Sequence, residues 1–403
     1  MRTLSLLFLL VLSSCRPEPS LTDLPNPSPA GARFPTLHSD GSRVLMSWLQ
    51  PVDSLTFAVA YSVYEDGSWS DAVTVATSDS FFVNWADVPS VVMSAGEPLA
   101  AHWLAKVPGG TYAYHVNMAM RQPDGAWMPV GAPHTDGTAT EHGFVSLLPM
   151  DEESVLAVWL DGRQTGGMSH DDHSEHEGMT DLSTAMTLRS AVVHRDGSRS
   201  HEAEIDAAVC DCCNTALAAV PGGAVAVYRD RDEDEIRDIG ISRFDAATGA
   251  WSDTRILHED GWEIAGCPVN GPRIAAAGDH VVVAWFTGAG GGSTVSAMRS
   301  TDGGRTFGPR EVFDGGRNSG RVDVVVGDNG DAWISWLGET EGAAALALRE
   351  WPAGAQPGET RYLGELDMSR KSGFPRMALL GDGLLLAWTD PENGYSVKTM
   401  LMR

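Results

Sequence analysis

One pattern recurs seven times along this chain, and it limits the fold more than any other feature. Each copy is a short apolar run, a tight turn rich in Gly, Asp or Ser, and a second apolar run that ends on an aromatic residue. The copies begin at Phe34, Pro89, Val145, Thr215, Pro272, Arg321 and Pro375. The closing aromatics are Trp48, Trp103, Trp159, Tyr228, Trp285, Trp336 and Trp388, between 51 and 69 residues apart. A third alternating stretch and a short fourth one follow, as in TFAVAYSVYEDG and SDAVTVA of the first copy. Alternation with a period of two marks strands, and four short strands at this spacing make one blade of a β-propeller. No single unit can bury its apolar strands alone, so the units must stack on one another. The expected fold is therefore all-β: a β-propeller of four-stranded blades, with seven repeats counted. The last unit stops at Arg403 after three strands, so the segment before Arg33 is expected to supply the fourth and close the ring.

The chain opens MRTLSLLFLLVLSSC, one basic residue and then an apolar run, the layout of a secretory signal. Leu12-Ser13-Ser14-Cys15 resembles a bacterial lipobox. Residues 1–14 are read as a lipoprotein signal peptide, with Cys15 as the lipidated residue. Residues 15–31 are a Pro- and Ser-rich tether, and 32–403 are the propeller. Arg16, rather than Asp, follows the cysteine. That suggests an exported bacterial lipoprotein at the outer membrane, periplasmic or surface-facing. Beyond the first dozen residues no apolar run is long enough to span a membrane as a helix. The net charge of −26 argues against nucleic acid as a partner.

In a blade, strands run alternately down and up. The starts of the innermost strands and the loops after the second strands therefore share one face, and the tight turns share the other. The first set holds Arg33, Asn84, His142, the run Cys210-Asp211-Cys212-Cys213, Cys267, Arg321 and Arg376. It also holds Lys106, Asp161, Arg163, Arg229, Asp230, Arg231, Glu235, Glu339 and Asp390. Charged and sulfur chemistry thus gathers at one mouth of the channel. Arg33, Arg229, Arg231, Arg321 and Arg376 are candidates to grip an acidic glycan or another small anion through their guanidinium forks. Cys210, Cys212, Cys213 and Cys267 are even in number and suit either two disulfides or a thiolate site for copper or zinc. Met168, His170, His173, His176 and Met179 lie in the insertion that lengthens the third spacing, an imidazole and thioether set that also suits copper or zinc.

Ser300, Asp302, Gly304, Thr306 and Phe307 match the Asp-box, S-x-D-x-G-x-T-[W/F], of sialidase-like BNR-repeat propellers. Weaker echoes stand at 65–69 and 124–127. The runs CDCCNTALA, YRDRDEDEIRDI, GCPVNGP, SGRVDVVV and SGFPRMA resemble bacterial exported proteins usually labelled exo-α-sialidase. The resemblance implies a propeller, with six blades as the sialidase-type alternative to the seven counted. It also implies an arginine triad, an Asp acid/base and a Tyr–Glu nucleophilic pair. Arg33-Phe34-Pro35 departs from the family's F-R-I-P order, and no tyrosine is assigned to the pair. Asp161, Asp230 and Glu235 are the available acids, because glycoside hydrolysis needs two carboxyl-type groups or a Tyr substitute. The leading expectation is a lipid-anchored propeller that binds, and as an enzyme would hydrolyse, an acidic glycan. The rivals are a copper or zinc protein and a non-catalytic interaction scaffold.

Overall fold

The computed structural model describes residues 19–166, 181–340 and 342–403. Among them, seven antiparallel sheets form a ring of seven blades, six of them built outward in chain order. The innermost strands are Arg33–Ser39, Ser90–Ser94, His142–Pro149, Ala216–Val220, Arg273–Ala277, Asp323–Val326 and Arg376–Leu380. Each touches the innermost strands of both neighbouring blades, so the circle is complete. The second strands, from Val44–Pro51 to Gly383–Asp390, carry the seven repeated aromatics. The six-bladed alternative is thereby excluded.

Leu21–Asp23, which composition placed in the tether, is the outer strand of the seventh blade. It pairs antiparallel with the last strand, Ser396–Met402, in the register Leu21↔Met402 to Asp23↔Met400. Ser20 N–H donates to the Arg403 carbonyl at 2.7 Å, and the Arg403 N–H donates back at 3.0 Å. The ring therefore closes by joining the two ends of the chain in one sheet, which removes a free edge.

The apolar core lies between blades rather than within them. Val92, Leu104, Met118, Trp159 and Val193 fill the space between blades 2 and 3. Val227, Ile241, Val283 and Trp285 fill that between blades 4 and 5. The repeated tryptophans bring a large apolar body and one N–H that needs an acceptor. For three of them an acid at the rim supplies it: Trp159 Nε1 donates to Asp161 at 2.8 Å, Trp285 to Asp260 at 2.6 Å and Trp336 to Asp314 at 2.8 Å.

In blade 5 the turn Ser300–Phe307 joins the third strand to the outer one. Asp302 accepts from Ser300 Oγ at 2.7 Å, Arg305 N at 3.0 Å, Thr306 N at 2.9 Å and Thr306 Oγ1 at 2.6 Å. Gly303 and Gly304 take φ of 71° and 77°, which favour glycine. These bonds hold the Asp302 carboxyl well below the usual carboxylate range.

Candidate functional site

The starts of the innermost strands converge over the channel and plug its mouth. Phe34, Phe144 and Arg321 occupy these starts with φ of 56°, 52° and 53°, left-handed values that non-glycine residues seldom adopt. Trp85 stacks on Phe374, with centroids 5.7 Å apart and planes 9° apart. Gly373 must be glycine here: its φ is 62°, and a Cβ would lie 2.9 Å from the Phe34 ring.

The arginines expected to form an anion clamp mostly spend their donors on the main chain. Arg229 is buried and donates to the carbonyls of Arg237 at 2.6 Å, Phe286 at 2.7 Å and Asn270 at 2.8 Å. Arg321 donates to Ser372 Oγ at 2.7 Å and to the carbonyls of Gly373, Ser369 and Met368. Its guanidinium lies 5.1 Å over Trp85, so it holds the plug together. Burial pulls its pKa down to about 10. Arg33 packs 4.1 Å over the Tyr395 ring. Arg231 pairs with Glu235, at 2.5 Å through Nη2. Of the five, only Arg376 lines the central cavity.

The three acids differ from one another. Asp161 is buried, accepts from Trp159 and takes the fork of Arg163 at 2.7 Å through both Nε and Nη2. Glu235 is shared between Arg231 and Arg237, and burial is outweighed by these bonds, so its carboxyl is held low. Asp230 is pushed up to about 7, first by burial and then by the neighbouring Asp206 carboxylate.

The sulfur residues do come together. The turn after the outer strand of blade 3 is tied down where Cys210 N–H donates to the Arg229 carbonyl at 2.9 Å. Cys210 Sγ then lies 3.1 Å from Cys213 Sγ and 4.0 Å from Cys212 Sγ. All three side chains are buried as free thiols within 4.8 Å of one another. Cys267, exposed at the approach to blade 5, stands close enough to act on the Cys212 thiol. Arg237 Nη1 donates to Cys210 Sγ at 3.6 Å. Burial pushes the Cys210 thiol up, but bonds from Cys212 and Cys213 and the Arg237 charge outweigh it and hold the thiol well below its usual range. Cys15, Met168, His170, His173, His176 and Met179 lie outside the described residues.

The central cavity has a water-accessible volume of about 190 Å³ and is walled by all seven innermost strands or the residues leading into them. On its wall Asp87 is buried and pushed up to about 8, chiefly by burial, so it carries a proton at neutral pH. Tyr114 Oη behind it donates to Glu141 at 2.6 Å and lies 3.2 Å from Asp87. Also on the wall, Arg376 Nη1 and Asn214 Oδ1 have no hydrogen-bond partner among the described residues. The sequence reading missed Asp87, Tyr114 and Glu141. Asp87 and Glu141 do precede innermost strands, which is the signal that places them at the mouth. Tyr114 opens a third strand, and nothing in its spacing sets it apart.

No family model matches this chain, and no curated protein matches it. Solved structures do. A phage phi92 endosialidase matches with a TM-score of 0.51 and 10% identity, over 96% of this chain and 69% of that one. An ulvan lyase, a polysaccharide lyase, matches with a TM-score of 0.49 and 11% identity, over 94% and 92%. A sialidase of Trypanosoma rangeli gives 0.45 and 10%, over 84% and 56%. At such identities the likeness is one of fold, and the chain is a seven-bladed β-propeller similar in architecture to the endosialidase.

Proposed function

We propose that this chain is an exported, envelope-anchored propeller that holds a thiophilic metal ion, copper(I) or zinc, at the sulfur centre of its mouth face. One observation carries the reading: a single turn presents three buried sulfurs within 4.8 Å of one another, and Cys267 interacts with Cys212 from the approach to blade 5. Thiolates select such ions. Zinc–sulfur bonds of about 2.3 Å set sulfurs about 3.8 Å apart in a tetrahedron, close to the 4.0 Å of Cys210 and Cys212. Cys213 must move away from Cys210 by about 0.7 Å to join them. Arg237 lowers the cost of gathering several thiolates in one buried place. The competing chemistry for the same sulfurs is disulfide formation.

The test is metal content and free-thiol count on the chain purified as a Cys15→Ser variant. The expected result is about one copper or zinc ion per chain, lost on Cys212→Ser, with all four thiols titratable after denaturation. A metal-free chain with two or four thiols missing refutes the reading. The same variant tests the anchor: the parent is expected in the membrane fraction and Cys15→Ser in the soluble one.

A second reading is favoured by the channel. Arg376 with an unpartnered nitrogen, Asn214 with an unpartnered oxygen and a neutral Asp87 make a polar wall that suits a small anion or the acid group of a glycan. A protonated acid with a tyrosine–glutamate pair behind it suits general acid catalysis. The fold shared with the endosialidase agrees with this reading without carrying it. A glycan array and a fluorogenic sialoside test it. Retention of an acidic glycan, weakened by Arg376→Lys, is expected; no retention of any acidic glycan by the parent chain refutes it.

A further inference from the structure

A second donor cluster lies on the same mouth face, between blades 2 and 3. The segment leading into the innermost strand of blade 3 carries His134 and Asp136, and His142 opens that strand. His115 comes from the third strand of blade 2, Tyr114–Arg121. His134 Nδ1 lies 3.0 Å from Asp136 Oδ1, and His142 Nε2 lies 3.2 Å from the same oxygen. The His134 and His142 rings stack 3.8 Å apart, and His115 meets both edge-on. Both His134 and His142 are more than nine-tenths buried.

The protons are the telling feature. His142 Nδ1 lies 3.2 Å from the Thr140 carbonyl, which can only accept, so the ring carries its proton on Nδ1. Nε2 then holds a lone pair. It faces two further acceptors, Asp136 Oδ1 at 3.2 Å and Asp161 Oδ1 at 3.7 Å, and makes no hydrogen bond among the described residues. His134 donates Nδ1–H to Asp136 Oδ1 at 3.0 Å, a proton that a bound ion replaces, and its Nε2 has no partner among the described residues. Buried acceptors aimed at one another are costly unless a cation compensates them; the Arg163 guanidinium flanks both carboxylates, 3.6 Å from Asp136 Oδ1 and 2.7 Å from Asp161 Oδ2, and leaves His142 Nε2 without a donor among the described residues.

The surroundings match a metal site at the next layer out. Thr138 donates to Asp136 through its backbone N–H at 3.0 Å and also through its hydroxyl. Thr140 orients His142, and Arg163 and Trp159 fix Asp161. Such partners hold metal ligands in place. In a tetrahedral site with bonds of about 2.0–2.1 Å, donors lie about 3.3 Å apart; the two nitrogen–oxygen separations here are 3.0 and 3.2 Å.

We propose that His134, Asp136 and His142 form a binding site for a divalent borderline ion, zinc above all, distinct from the sulfur centre. Two imidazoles and a carboxylate suit Zn(II), whereas the thiols suit softer ions. The stacked rings tilt apart on binding so that both in-plane lone pairs reach the ion. Three protein ligands leave a fourth position for water or a ligand. The site does not rest on the sulfur reading, and its failure would leave that reading intact.

The experiment uses the full chain with Cys15→Ser, and with Cys212→Ser and Cys213→Ser to disable the sulfur centre. Zinc is added by equilibrium dialysis at micromolar concentration. About one zinc ion per chain is expected, with affinity falling at least tenfold in His142→Asn and in Asp136→Asn. His115→Asn and a His170→Ala, His173→Ala, His176→Ala triple variant are expected to keep the ion. No bound zinc overturns the proposal, as does zinc that survives His142→Asn or leaves with the triple variant. Should the variants fail to fold, nitrogen NMR of the parent chain decides. Zinc must shift the His142 Nε2 resonance while Nδ1 stays protonated. A His142 ring protonated on both nitrogens at neutral pH refutes the site.

Discussion

Arginine at position 321 illustrates how a residue's partners decide its role. With four acceptors around Nη1 and Nη2 it works as a tie between the starts of blades 6 and 7. Arg321→Ala is expected to cost on the order of 3 kcal/mol, because several buried carbonyls lose their donor. Chemical denaturation checks this, and an unchanged midpoint contradicts it. Asp87 makes a prediction about pH. Its folded pKa, about 8, lies above the ordinary carboxyl value, so the folded state holds the proton more tightly than the unfolded chain. Its contribution to stability is complete below about pH 4 and is lost as pH rises through 8. Asp87→Asn is expected to lose less melting temperature between pH 5 and pH 9 than the parent, read by thermal melts at both values. The direction of these effects was hidden in the sequence. Nothing in Arg321 or Asp87 as letters tells whether a guanidinium faces carbonyls or a ligand, or whether a carboxyl is dry.

At the scale of the element, much was legible. Strand alternation, turn glycines and the repeated aromatic located every second strand, because a half-buried strand must alternate and a buried tryptophan must find an acceptor. The turn 300–307 was legible for the same kind of reason: a short loop organised by one carboxylate needs its residues at fixed offsets. Asp302→Ala is expected to cost about 1–3 kcal/mol, since four donors lose their acceptor. Hydrogen exchange at Arg305 and Thr306 should speed up with it, and unchanged protection there sinks the account. Less legible was the break in the outer strands of blades 1 and 4. Each breaks into two short pieces where Ser70 and Ser252 turn their hydroxyls back on the third strand, Ser70 Oγ accepting from Val63 N and Ser252 Oγ from Arg243 N. The repeated W-S-D at 69–71 and 251–253 is the trace that this leaves in the sequence.

For the whole molecule, the ring depends on a strand of three residues from the other end of the chain. A soluble chain starting after Leu24 leaves Ser396–Met402 as a free edge. It is expected to melt several degrees lower and to associate through that edge, measured by calorimetry and gel filtration; a monomer with the parent's melting temperature would contradict this. Sequence by itself determined the strand period, the count of seven repeats and the face on which the cysteines and charge gather, because these follow from local alternation and from topology. Tertiary structure alone decided which of those residues meet. It set Cys267 beside the turn that carries Cys210, Cys212 and Cys213, turned four of the five arginines toward carbonyls, rings or a carboxylate, and set His134, Asp136 and His142 around one space. Whether a side chain becomes a tie or a site depends on distances of a few ångströms between blades, and those are fixed by the packing of the closed ring rather than by any stretch of the chain.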